Sequence, residues 1–377
     1  MEKVVKKVRQ SNVELLRIFA IIIIIINHMA LHTPWHVVRS VNNARLVTQW
    51  LGTGGRLGVN IFILISGYFL IKSTFKWRSL SKLWVQVWLY AVGIFFIFHH
   101  FTQLGQTISL NQLRISFLPI MFNQWWFITA YMIMYLFVPF MNKFAKALTQ
   151  KEYRNFLLLF LVVGSAWPTI APKISIYSDV IWMMFVYMIG GYIRLYPDFI
   201  KNLKTKTLLG LWAGVAALML GSIQFMNWFN SLDANKFISM VRAIGISNTR
   251  FANAPMNPLS LILAVIIFAV FLRLPIPGNK LINGLAANVF GIYLLQSSSI
   301  GHKWLWDLVD AQRFTSGWKI LIYSIGVGLV IFAVGSVIVA LTNLITNPIE
   351  KLTFGKLDTY LKKRKVKSQL NQVEETK

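Results

Sequence analysis

Apolar residues along this chain gather in long runs, and the charged residues collect in the short gaps between them. Ten runs are long and apolar enough to cross a bilayer as helices: 12–33, 57–73, 83–101, 125–142, 155–171, 179–196, 207–226, 257–273, 284–306 and 319–345. The hydrocarbon core is about 30 Å thick and a helix rises about 1.5 Å per residue, which sets the length required. Gly, Ser and Asn interrupt the runs at 57–73 and 284–306. The pattern predicts an all-α fold, a polytopic integral membrane bundle of about ten transmembrane helices.

Composition agrees with that pattern. Of 377 residues, 56% are hydrophobic and 13% charged, the latter about half the ~25% usual in soluble domains. A disordered chain, a secreted disulfide scaffold and a collagen-like fibre are excluded. The chain has no cysteine, so it has no disulfide, thiolate nucleophile or thiolate metal site.

Charge then gives sidedness. The net charge of +26 would suggest nucleic acid in a soluble protein. Here the cations sit between apolar runs, so they point to anionic lipid head groups and topology, with no nucleic-acid partner. An even number of spans puts both termini on one side. On that alternation 26 of the 38 Lys and Arg residues fall on the side of the termini and 11 on the other, with Arg17 inside the first run. The positive-inside rule therefore makes both termini cytoplasmic and the protein a multi-pass component of the plasma membrane. The basic, then apolar, start is superficially like a signal peptide. No small-residue cleavage site follows it, and Arg17 and His28 lie within the run, so it reads as a retained first span. Residues 1–345 form the transmembrane unit. Residues 346–377, with Lys362-Lys363-Arg364-Lys365, read as a basic cytoplasmic tail solvated near anionic lipid. With no soluble catalytic domain attached, any chemistry belongs to the membrane part.

The first run carries the chemistry. Glu14, Arg17 and His28 are ionisable groups in or at the edge of a lipid-crossing helix, where each is costly unless paired or wetted. At about 100° per residue, the eleven steps from Arg17 to His28 return to within about 20° of the same face, about 16 Å further along the axis. Glu14 lies three residues before Arg17, at pairing distance, and His32 lies one turn beyond His28. One polar stripe thus runs along an isoleucine-rich helix and must face the bundle interior or a wet cavity. Glu14–Arg17 also fits an interfacial ion pair that sets helix depth, and His28 a core histidine bonded to a backbone carbonyl. The shared face favours function, and a neutral imidazole suits general-base work near neutral pH. Asp179, the nearest carboxylate, sits at a span end.

At these residues the sequence resembles the acyltransferase 3 family of membrane-bound O-acyltransferases. Glu-x-x-Arg, followed by ten residues and a His on the first of ten spans, is similar to that family's first helix. The segment Gly58–Tyr68, with Ser66-Gly67, resembles its second span. Trp125-Trp126-Phe127-Ile128-Thr129-Ala130-Tyr131, continuing to Tyr135 and Pro139, resembles its Trp-Phe-Leu…Tyr…Pro segment. Phe290-Gly291-Ile292-Tyr293-Leu294-Leu295 resembles its late Tyr-Leu-Ile-His segment. Two departures stand out: Gln296 replaces a frequent histidine, so no catalytic role is carried to it, and Asn60 replaces a frequent Asp.

The resemblance implies transfer of an acyl group, most often acetyl, from cytosolic acyl-CoA to a hydroxyl of an exported or cell-surface polysaccharide. His28, Arg17 and Glu14 would be catalytic. No cofactor is resident, and acyl-CoA (acetyl-CoA) is a co-substrate. The family's arginine-rich element falls at Lys72, Arg78 and Lys82, whose cations suit the phosphates of coenzyme A, although the positive-inside rule explains them equally well. Gln124, Trp125, Trp126 and Tyr131 are candidates for the sugar-binding mouth, against a bland reading as interface belt and packing. Ser66-Gly67 permits close helix approach and a local break. His99, His100 and His302 read as interfacial. His28 and His32 have a metal-ligand spacing without a third ligand, so no metal site is expected. The alternative is a transporter or polymerase of lipid-linked oligosaccharide, with Arg242 and Arg250 as its functional cations.

Overall fold

The computed structural model describes residues 9–35, 41–102, 109–171, 178–233, 235–243 and 246–374, and among them the fold is helical without strands. The helices are α1 (Ser11–His32), α2 (Asn43–Leu51), α3 (Gly54–Leu70), α4 (Trp77–Phe101), α5 (Leu110–Phe117) and α6 (Trp126–Ala147). Next, α7 (Gln150–Phe160) continues through a π-helical stretch, Leu161–Ala166, into α8 (Trp167–Ile170). There follow α9 (Asp179–Leu195), α10 (Asp198–Lys201), α11 (Thr205–Ser231), α12 (Lys236–Ala243) and α13 (Arg250–Asn253). The chain closes with α14 (Pro258–Arg273), α15 (Lys280–Gln296), α16 (Gly301–Asp307) and α17 (Gly317–Glu374).

Among the described residues seven helical stretches are long and apolar enough to span a membrane: Ser11–His32, Asn43–Leu70, Trp77–Phe101, Trp126–Ala147, Gln150–Ile170, Thr205–Ser231 and Gly317–Phe354. The other three predicted spans fall on α9, α14 and α15, helices of 17, 16 and 17 residues. At about 1.5 Å per residue these fall a few ångströms short of the ~30 Å core.

The bundle is organised around α1, which packs on α3, α14, α15 and α17, while α3 packs on α9 as well. Polar residues at the start of α1 fix its depth. Asn12 donates from Nδ2 to the carbonyls of Phe271 and Leu272 in the last turn of α14. Ser11 donates to Asn283 Oδ1 and accepts from the Asn279 amide, tying α1 to the first turn of α15. The isoleucine run is a modest helix former in water, but here Ile21, Ile24, Ile25 and Ile26 are buried against neighbours, and packing holds the helix. α3 and α9 touch backbone to backbone. A Cβ on Gly67 would collide with the Tyr187 carbonyl, and one on Gly190 with the Leu64 carbonyl. The close approach expected at Ser66-Gly67 is therefore present, but the break is not, since α3 runs unbroken from Gly54 to Leu70.

One further expectation changes. The run 284–306 is not one helix: α15 ends at Gln296 and α16 begins at Gly301. The intervening serines compete with the helical ladder. Ser297 bonds back to the Tyr293 carbonyl, and Ser298 Oγ accepts from the Gly301 amide. α17 runs through residue 346 and past Pro348. The side chains of Lys362–Lys365 lie outside the described residues.

Inter-loop contacts sort by predicted side. Arg9, Lys201 and Arg273, from three gaps assigned to the inner side, line one hollow of about 600 Å³. Lys82 pairs with Glu350 at 3.1 Å. On the other side Arg56 pairs with Asp179 at 3.2 Å, and Gln49 bonds with Asn227.

Candidate active site

A second cavity of about 600 Å³ follows the polar face of α1. Arg17, Asn27, His28 and His32 line it from one helix, so the stripe read from spacing does face an internal space. The opposite walls come from α3 (Arg56, Phe62, Ser66), α6 (Trp126, Phe127, Tyr131) and α15 (Val289, Phe290, Tyr293), and Leu83 of α4 also lines it. From Arg17 to His32 is fifteen residues, about 22 Å of helix, comparable with most of a bilayer core.

At one end of this cleft Arg17 Nη1 lies 3.5 Å from Glu14 Oε2. Glu14 is nearly buried, with 10% of its side chain exposed, whereas Arg17 keeps 37%. That difference separates the roles: the carboxylate anchors, and the guanidinium projects into the cleft. Ser66 donates to its own helix at the Phe62 carbonyl and stands 3.5 Å from the Tyr131 hydroxyl. No base adjoins it, so it is a wall residue.

Toward the other end, His28 Nδ1 donates to Gln296 Oε1 at 2.7 Å. A side-chain carbonyl can only accept, so this bond places the proton on Nδ1 and leaves the Nε2 lone pair free for proton abstraction. Gln296 is thus the partner of the imidazole, a relation between residues 268 apart that the sequence reading passed over. The His302 ring lies 4.7 Å from that of His32, which lies 5.9 Å from His28. The break after α15 causes this by folding α16 back onto the end of α1.

Arg56 was likewise missed. It lines the cleft, pairs with Asp179 and lies with its guanidinium carbon 4.9 Å from the Trp126 ring centre. In sequence it is an ordinary loop cation, and only the antiparallel packing of α3 on α1 brings it here.

The four aromatic-segment residues divide between two spaces. Tyr131 and Trp126 line the cleft, while Gln124, Trp125 and again Trp126 line a smaller adjoining chamber. A left-handed Asn123 (φ 51°) makes the turn that brings Gln124 and Trp125 to the chamber before α6 begins; Asn tolerates that conformation better than other residues with a side chain.

The basic loop residues are placed differently. Lys72 and Arg78 are exposed and line neither cavity. Lys82 is half-buried and engaged with Glu350, one residue from the cleft-lining Leu83. Asn60 is buried away from both spaces and accepts from Trp182 Nε1 at 2.9 Å, a packing role. Arg250 bonds the carbonyls of Pro168 and Thr169, clasping the end of α8; the side chain of Arg242 lies outside the described residues.

A family model described as an acyltransferase domain covers residues 10–342. No curated protein matches, and no solved structure does.

Proposed function

The chain belongs to the acyltransferase family whose domain it carries over residues 10–342, and from that premise we propose that it is an O-acyltransferase of the plasma membrane. It transfers an acyl group, acetyl in the first instance, from cytosolic acyl-CoA to a hydroxyl of an exported or cell-surface polysaccharide. Both termini are cytoplasmic in this reading. One observation carries it: His28, oriented by Gln296, lines a cleft that continues along α1 to Arg17.

The cleft removes the need for coenzyme A to cross the bilayer. Its phosphates stay at the inner face near the basic rim of Lys72, Arg78 and Lys82, and the thin pantetheine arm enters past Leu83 and Arg17. Arg17, braced by Glu14, is about 16 Å from His28 along the helix, so it steadies the donor arm and not the reacting carbon. His28 Nε2 takes the proton of the acceptor hydroxyl as that oxygen attacks the thioester carbonyl. The new C–O bond forms, the C–S bond breaks, and the imidazolium returns the proton to the departing thiolate. The products are the ester and free coenzyme A thiol.

The test is the acyl content of envelope glycans, read by mass spectrometry in cells carrying His28→Ala at normal protein level. Loss of the acyl increment is expected. Unchanged acylation would sink the reading.

A further inference from the structure

At the end of the bundle assigned to the inner side, the hollow of about 600 Å³ lies between the start of α1, the end of α9 with α10, and the end of α14. Arg9, Lys201 and Arg273 line it, and no Asp or Glu does. Among the described residues none of these three cations is ion-paired. Arg9 and Arg273 each donate to a backbone carbonyl, of Asn283 and Ile200 respectively, which orients them and cancels no charge. In the cleft, by contrast, the two lining guanidinium groups, Arg17 and Arg56, are answered by Glu14 and Asp179. Behind the wall of the hollow, Arg194 lies 4.8 Å from the centre of the Tyr68 ring and donates to the Tyr68 hydroxyl, which adds a further positive charge nearby. Like charges gathered round one space repel unless an anion sits among them.

We propose that this hollow binds the phosphate group of an anionic phospholipid of the inner leaflet. The inference stands apart from acyl transfer and takes from the functional reading only the inward face. Guanidinium forks and a lysine ammonium suit phosphate oxygens, and basic pockets between membrane helices on the cytoplasmic side bind such head groups. Two features favour a lipid over a soluble phosphate. The volume is that of a whole small-molecule site, larger than a bare phosphate requires. Part of the wall is also apolar, from Ile193, Ile200, Leu272 and Ile276, and suits glycerol and the first acyl carbons. Coenzyme A, the other phosphate carrier of the functional reading, is less suited, because the hollow shares no lining residue with the cleft. A lipid held here ties the start of α1, the helix of Arg17 and His28, to α10 and α14.

The experiment titrates the full-length protein in detergent with phosphatidylglycerol or phosphatidylcholine and counts bound lipids by native mass spectrometry. The first phosphatidylglycerol is expected to bind about ten-fold or more tightly than the first phosphatidylcholine. Arg9→Gln combined with Lys201→Gln is expected to weaken that first binding about five-fold or more. Both positions are exposed, so the variant is expected to fold, and an unchanged melting temperature without added lipid checks this. Lys146→Gln combined with Lys151→Gln removes the same charge from exposed positions outside the hollow, and is expected to change the binding less than about two-fold. Inorganic phosphate and coenzyme A serve as soluble competitors, and neither is expected to displace the first phosphatidylglycerol. Displacement by either would assign the hollow to a soluble phosphate and overturn the proposal. Equal weakening in the two double variants, or no preference over phosphatidylcholine, would overturn it as well, by reducing the hollow to diffuse surface charge. None of these readouts needs acyl transfer, so failure here leaves the transferase reading standing, and loss of that reading leaves the lipid site.

Discussion

Helices α1 and α11 are both long and strongly apolar, yet they occupy opposite situations. α1 is wrapped by α2, α3, α14, α15, α16 and α17 and carries Glu14, Arg17, Asn27 and His28. α11 presents Leu211, Trp212, Leu218, Phe225 and Trp228 to the outside and joins the bundle through Met219, Ile223 and Met226. Around its Gly210, Gly214 and Gly221 a methyl group would meet nothing within 4 Å. The contrast teaches where information resides in a membrane chain. Apolar residues are at home on either helix and discriminate nothing, while an ionisable residue is tolerated only beside a partner or a wet space. The polar positions of α1 thus mark the cleft, and α11 has none to mark.

The strongest way to break that contrast is to exchange side chains on both helices. His28→Ala is expected to lower acyl transfer about 100- to 10,000-fold, the span of general-base contributions, with protein level unchanged. Leu218→Ala on α11 is expected to leave transfer within two-fold. Equal losses would mean that His28 acts through stability and not chemistry.

Glycine gives the next contrast. Gly67→Ala drives a methyl into the Tyr187 carbonyl where α3 crosses α9. Overpacking of this kind costs about 1–3 kcal/mol or more, seen as a lower melting temperature in detergent and less folded protein. Gly214→Ala on α11 is expected to be neutral or to stabilise by up to ~1 kcal/mol, because the site is open and alanine is the better helix former. A tolerated Gly67→Ala would show the crossing to be looser than drawn.

A third test separates orientation from bulk inside the cleft. Gln296→Leu keeps volume but leaves His28 Nδ1 with no acceptor, and is expected to lower kcat about 10- to 100-fold while the KM for acyl-CoA holds. Gln296→Glu, which accepts the same bond, is expected to recover much of the loss. If leucine and glutamate behave alike, Gln296 only fills space.

These tests also show what was legible in the sequence and why. The cleft face of α1 followed from intra-helix geometry: eleven residues is close to three turns, so Arg17 and His28 had to share a side wherever the helix packed. The aromatic segment followed from resemblance, and Gln124, Trp125, Trp126 and Tyr131 all line one of the two spaces. Relations between helices were not legible. Gln296 reaches His28 across 268 residues, and Arg56 reaches Trp126 only because α3 returns antiparallel. The α15–α16 break had a local signal in Ser297-Ser298-Ser299, but serines are tolerated inside membrane helices, so hydropathy ran straight through them to residue 306. The same break brings His302 to His32, since a continuous helix carries it away where a broken one folds it back.

The smallest expected effect bears on the inner rim, where the sequence reading and the geometry differ most. Lys82 was proposed to hold donor phosphate, yet its ammonium lies 3.1 Å from Glu350. An ion pair whose lysine side chain is 40% exposed contributes at most ~1 kcal/mol, less at high salt, so Lys82→Gln is not expected to unfold the protein. If Lys82 reaches the donor by exchanging Glu350 for phosphate, Lys82→Gln raises the KM for acyl-CoA roughly three- to ten-fold, in line with losing one charge-assisted contact. Glu350→Gln then has the opposite sign, because it releases the ammonium and removes a nearby negative charge: the KM falls, and the salt dependence of donor binding steepens. A purely structural pair predicts small stability losses of the same sign in both variants and no movement in KM. Opposite shifts in the two KM values would give Lys82 a place on the donor path, one residue from the Leu83 wall of the cleft, and parallel small losses would assign that loop to topology alone.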